Sequence, residues 1–149
     1  VAEVIENNVR RVITEERPTN PKYYDKISLL LKELIAKRKK EGMKYEKYLD
    51  KIAELCKKAT NQSSDTEYPD SIDSKGKRAL FDNLSANDEI ALDVDKSIIT
   101  TKADSWRGTK IKERAVYLAI KKSLKKFNII DDEKIDSIFE IVKEEKNGY

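Results

Sequence analysis

Apolar residues recur along this chain at three- and four-residue steps, and no run alternates as a strand would. Val4, Ile5, Val9, Val12 and Ile13 mark a first amphipathic helix over residues 2–16. The Arg17-Pro18 bond ends it, because the residue before a proline avoids the helical region. Asn20 then serves as N-cap and Pro21 takes the first helical position, where its missing N–H costs nothing. From there Tyr24, Ile27, Leu31 and Leu34 keep one face. The pattern is interrupted at Arg38 and Glu41 and resumes at Tyr45, Tyr48, Ile52, Leu55 and Ala59. A seven-residue phase survives across Gly42, which argues for one long helix over about 21–60, bent at the glycine. A glycine in a helix interior costs about 1 kcal/mol relative to alanine, so a helix pair is the alternative. The seam reads as core packing, with its tyrosines as core and rim residues.

Residues 61–73 hold four acids, three serines and a proline and no base, which predicts an exposed acidic loop and the best place for disorder. A short helix follows from about Ser74 with Ala79, Leu80, Phe81 and Leu84. Asn87 caps another to about Thr101 with Ile90, Ala91, Val94 and Ile98 inward. Lys102 to Gly108 turns the chain into a helix that Thr109 caps and that ends near Phe127. Asp131 or Asp132 opens the last, with Ile135, Ile138, Phe139 and Val142 inward. The expected fold is an all-α multi-helix bundle without significant sheet, built as one domain over 1–149.

Composition sharpens this. Charged residues make up 40% of the 149 and hydrophobic ones 38%, with four glycines and three prolines, which suits long helices with charged faces. There is no histidine and one cysteine, so a conventional zinc site and a Ser–His or Cys–His nucleophile are excluded. Cys56 stands at a core-facing helical position and reads as a buried structural thiol. Neither Gly76-Lys77 nor Gly108-Thr109-Lys110 completes a phosphate-cradling GxxxxGK[ST] loop. Asp93/Asp95 and Asp131/Asp132 are the carboxylate pairs that magnesium chemistry would need. Their side chains diverge on a helix, and they sit in acidic surface or cap contexts. No catalytic residue, metal ligand or cofactor site is assigned. No apolar run spans a membrane and no signal peptide is visible, so the chain reads as cytoplasmic. It lacks an initiator methionine, and Val1 already stands inside an amphipathic pattern, so a fragment from the end of a larger protein is expected.

Charge is the informative feature. The net charge of +3 conceals blocks of opposite sign. Trp106 to Phe127 carries eight bases against the single acid Glu113, while Asp82 to Asp95 carries five acids and no base. On a helix, Lys110, Arg114, Lys121 and Lys125 share an arc of about 60°, and Val116, Ile120, Leu124 and Phe127 occupy a different, buried face. Trp106 and Arg107 stand beside this stripe and join it as candidate nucleic-acid-binding residues. Trp106 also reads as a core anchor over the turn. Lysines suit tracking of a phosphate backbone rather than base readout. The acidic tracts supply the other reading, in which the stripe docks inside the fold or is a solvated face.

Four strings, in order, carry a resemblance. EVIENNVRRVITEERPTNPKYYDKISLLLKELI (Glu3–Ile35), KYEKYLDKIAEL (Lys44–Leu55), YPDSIDSKGKRALFDNL (Tyr68–Leu84) and WRGTKIKERAVYLAIKKSL (Trp106–Leu124) resemble the C-terminal region of type I restriction enzyme R subunits. The acidic loop 61–67 and the tail beyond Asn128 resemble it less, and Gly42 departs from a stretch the family keeps helical. The resemblance implies a parent that cuts and translocates DNA with ATP and Mg²⁺. It implies for this chain a helical part that docks the motor onto the modification and specificity subunits, with contact to double-stranded DNA. The chain has no helicase motif and no nuclease carboxylate–lysine set, so the resemblance implies none of the parent's catalysis here. A DNA-binding module and a spacer with internally paired charges are the alternatives.

Overall fold

The computed structural model describes residues 1–64 and 67–149, so part of the acidic loop predicted over 61–73 lies outside the described residues. Among those described there are seven α-helices and no strand: α1 (Ala2–Glu16), α2 (Pro21–Glu41), α3 (Tyr45–Thr60), α4 (Lys75–Asn83), α5 (Asp88–Thr101), α6 (Lys110–Lys126) and α7 (Asp132–Glu144). The all-α expectation is met. None of these helices is long and apolar enough to cross a membrane.

The composition suits one domain, whereas the contacts gather the chain into two compact units. The first comprises residues 1–17 and 21–67, the second residues 18–20 and 68–149.

In the first unit, α1, α2 and α3 pack on one another. Val9 and Val12 of α1 are buried, but Val4, placed on the inner face by its spacing, is exposed. The 21–60 segment is a helix pair and not one bent helix. Gly42 follows the last residue of α2 with φ +59°, the left-handed conformation in which helices end on glycine. The chain then doubles back. At the far end of the pair the Tyr23 hydroxyl donates to the Lys58 carbonyl (2.7 Å) and Tyr24 to the Ala59 carbonyl (3.1 Å), so α2 and α3 run antiparallel. Tyr23, Tyr24, Ile27 and Leu31 meet Tyr48, Ile52, Leu55 and Ala59 in the core. The interruption of the apolar seam has its own use: the Arg38 guanidinium lies 4.4 Å from the centre of the Tyr48 ring. The Tyr48 hydroxyl donates to Glu6 on α1. Burial first, and that carboxylate second, push its pKa up to about 12. Cys56 is half-buried and not fully enclosed, because it stands one position past Leu55, off the centre of the seam.

In the second unit, α5 packs on α4 and α6, and α7 on α6 and α4. The core draws Leu80 and Leu84 from α4 and its end, Ala91, Val94 and Ile98 from α5, Val116, Ile120 and Leu124 from α6, and Ile135, Ile138 and Val142 from α7. Each helix start is set by local chemistry. Ser74 Oγ accepts from the Lys77 amide (3.1 Å), Asn87 Oδ1 from Ile90 (3.1 Å) and Asp131 Oδ1 from Glu133 (3.2 Å), each satisfying an amide that has no partner inside its helix. Asn20 also belongs here. It is buried, donates to Asp82 (2.8 Å) and accepts from Asn83 (2.7 Å).

Candidate nucleic-acid interface

The start of α6 decides which of the predicted basic residues face outward. Thr109 occupies the cap position, but its hydroxyl makes no capping bond. Glu113 does that work instead: its carboxylate reaches back one turn and accepts from the Gly108 amide at 2.6 Å. That bond, with the Lys143 ammonium 3.5 Å away, holds the Glu113 carboxyl below its ordinary pKa. Gly108 has φ +82°, so the chain turns sharply just before the helix begins.

Because of this turn, the two residues before Gly108 point inward. Trp106 is buried, and its indole N–H donates to the Tyr149 carbonyl at 2.9 Å. Arg107 covers the end of α7. Its guanidinium donates to the carbonyls of Lys143 (2.7 Å), Val142 (3.0 Å) and Glu145 (3.1 Å). It also lies 4.5 Å from the centre of the Trp106 ring. A cation over the last carbonyls of a helix is favourably placed against the helix dipole. Burial lowers the Arg107 pKa, with Glu145 and Glu144 working against that shift. Both residues are therefore occupied by the fold and stand apart from the stripe.

The other four predicted residues come together. Lys110, Arg114, Lys121 and Lys125 are all exposed along one side of α6, about a third of a turn round from the buried Val116, Ile120 and Leu124. Among the described residues, Lys110 and Lys125 have no ion-pair partner. Arg114 lies over the Tyr117 ring (5.5 Å), and Lys121 stands 4.0 Å from Asp132. An exposed pair at that distance holds its lysine only weakly, by about 0–1 kcal/mol. The stripe is an open cationic strip.

Of the alternative reading, in which the acidic tracts dock on this segment, the 82–95 tract makes one contact among the described residues, at the edge of α6 and off the stripe. Asp93 of α5 accepts from the buried Ser123 hydroxyl and from Lys126 (3.0 Å). These bonds, the Ser123 one foremost, hold the Asp93 carboxyl below its usual range. Asp95 accepts from the Tyr149 hydroxyl, whose pKa is raised by burial and then by that carboxylate. Asp131 caps α7. The carboxylate pairs are thus committed to separate structural bonds, and no group of three potential metal ligands converges among the described residues.

Periodicity overlooked one feature of α6. Ile111 and Leu118 are 83% and 46% exposed, on the row next to the stripe. A helical wheel carries the signal, since both lie well round from the Val116–Leu124 face. No family model, curated protein or solved structure matches this chain.

Proposed function

We propose that this chain is a non-catalytic assembly domain, the C-terminal helical part of a type I restriction endonuclease R subunit. It docks an ATP-dependent DNA translocase and nuclease onto the modification–specificity core. The four strings between Glu3 and Leu124 suggest the family. The observation that carries a binding role, and not a purely internal one, is the strip of Lys110, Arg114, Lys121 and Lys125, exposed on a helix that buries Val116, Ile120 and Leu124 on another face. Such a helix is anchored on one side and free to present charge on the other. Its lysines suit the DNA backbone without reading bases. ATP and Mg²⁺ belong to the motor and nuclease of the parent and are held elsewhere in it.

Gel filtration of the chain with its modification–specificity core, with and without duplex DNA, tests this. Co-elution without DNA is the expected result. Co-elution only with DNA favours the second reading, a DNA-binding helical module, which the absence of ion-pair partners at Lys110 and Lys125 among the described residues supports. No co-elution in either case overturns docking by this chain.

A further inference from the structure

The row beside the cationic stripe on α6 is made for a different kind of contact. Ile111, Ala115, Leu118 and Lys122 follow one another at three- and four-residue steps, so they stand on one line along the helix. Ile111 and Leu118 are two of only four large hydrophobic residues exposed among the described residues of the second unit. Alongside them, α5 and α6 leave an open groove of about 410 Å³. Ser97 and Thr100 line it from α5, and Ala115, Leu118 and Ala119 from α6, with Lys122 and Lys126 at one end.

A wall of alanine, serine and threonine lets a second backbone come close, and a channel between two packed helices accepts the side-chain ridge of a third. Phosphate oxygens gain nothing from Ile111 or Leu118, whereas apolar side chains gain by covering them. The charge at the groove's end is specific. Lys126 is neutralised by Asp93, while Lys122 has no ion-pair partner among the described residues. An occupant that covers the apolar row and carries an acid at this end completes both.

We propose that the α5–α6 groove docks an amphipathic helix of a protein partner, with apolar residues over Leu118 and Ile111 and an acidic residue opposite Lys122. This rests on the assembly reading above, with the helix belonging to the modification–specificity core. It adds that protein and DNA lie side by side on α6, on neighbouring rows.

The experiment compares the wild-type chain, Ala115→Gln/Leu118→Gln and Lys122→Glu. Binding to the purified core is measured without DNA by calorimetry, and binding to duplex DNA by fluorescence anisotropy. The double substitution is neutral in charge and sits on exposed positions. It is expected to weaken core binding at least about tenfold, as loss of a central apolar contact does, with DNA affinity unchanged. Lys122→Glu weakens core binding in the same direction and serves where the double variant melts lower than wild type. Core affinity equal to wild type in both variants overturns the groove and leaves the assembly reading standing. DNA binding lost with core binding intact also overturns it and assigns the row to nucleic acid. A wild-type chain that does not bind the core overturns the assembly reading and this inference together.

Discussion

Gly76 and Tyr149 meet with no space for a methyl group between them. A Cβ on Gly76 would stand 2.7 Å from two ring carbons of Tyr149 and 2.9 Å from its hydroxyl. The first turn of α4 therefore carries glycine because the tyrosine ring occupies the volume that any side chain would fill. The ring is fixed in turn: its hydroxyl is bonded to Asp95, and its own carbonyl accepts from Trp106.

Gly76→Ala is expected to destabilise the second unit by about 1–3 kcal/mol, the usual cost of overpacking. In a Tyr149→Ala background the same change is neutral or stabilising by up to about 1 kcal/mol, since alanine then gains its advantage over glycine in a helix. Urea denaturation of the four proteins measures this. Additive effects would show that the two residues do not compete for space.

Arg107→Ala removes the donor to three carbonyls and should cost roughly 2–3 kcal/mol, a figure for hydrogen bonds made by a charged group. Thermal melts check this. DNA affinity of the folded variant should stay at the wild-type value, because the guanidinium is spent inside the fold.

Asp93 gives a pH signature. Its pKa is lowered in the folded protein, so its contribution is complete above its unfolded value, near 3.9, and is lost as pH falls through the lower folded value. Asp93→Asn is expected to lower the melting temperature at pH 7. The gap between variant and wild type should close below about pH 4. A constant gap from pH 7 to pH 3 would show that Asp93 acts through packing alone.

If the stripe tracks a phosphate backbone, four cations neutralise about four phosphates, and the logarithm of affinity falls with the logarithm of salt with a slope of about −3.6. Lys121→Glu/Lys125→Glu should reduce the magnitude of that slope by about 1.8 or more and weaken binding sharply at low salt. Anisotropy titrations across a salt series give the slope. An unchanged slope in the double variant removes the stripe as the DNA site. Among the described residues Lys125 has no ion pair and Lys121 only the exposed 4.0 Å pair with Asp132, so the melting temperature should hold to within the effect of about 0–1 kcal/mol.

The helices over 2–16, 87–101 and 109–127 were legible because their signals are local, in apolar periodicity, proline and capping residues. Gly42 shows where such signals stop. Each helix of an antiparallel pair keeps an apolar face of its own, and here the two faces fall in one seven-residue phase, so the phase of Tyr24 to Ala59 fits both arrangements. The positive φ of the glycine separates them, and periodicity does not report it. Arg107 illustrates a second limit. It precedes the first residue of α6, so helical spacing does not fix its direction, and its acceptors are main-chain carbonyls 35 to 38 residues away. Carbonyls leave no mark in a sequence. The four-residue stripe lies within the helix, where spacing does fix direction, and there the wheel and the fold agree. Cys56 shows how fine the margin is, since one step off the seam turns enclosure into partial exposure.

The bonds from Arg107 and Trp106 tie the entry of α6 to the exit of α7, two points far apart in the chain. The last turn of α7 cannot open while the guanidinium holds its carbonyls, and Arg107 cannot leave without releasing them. Amide protons at these two places would then exchange with deuterium through a shared opening event, with matching protection, and not by independent fraying. The exposed strip on α6 would thus be presented by a frame that opens as a whole or stays shut.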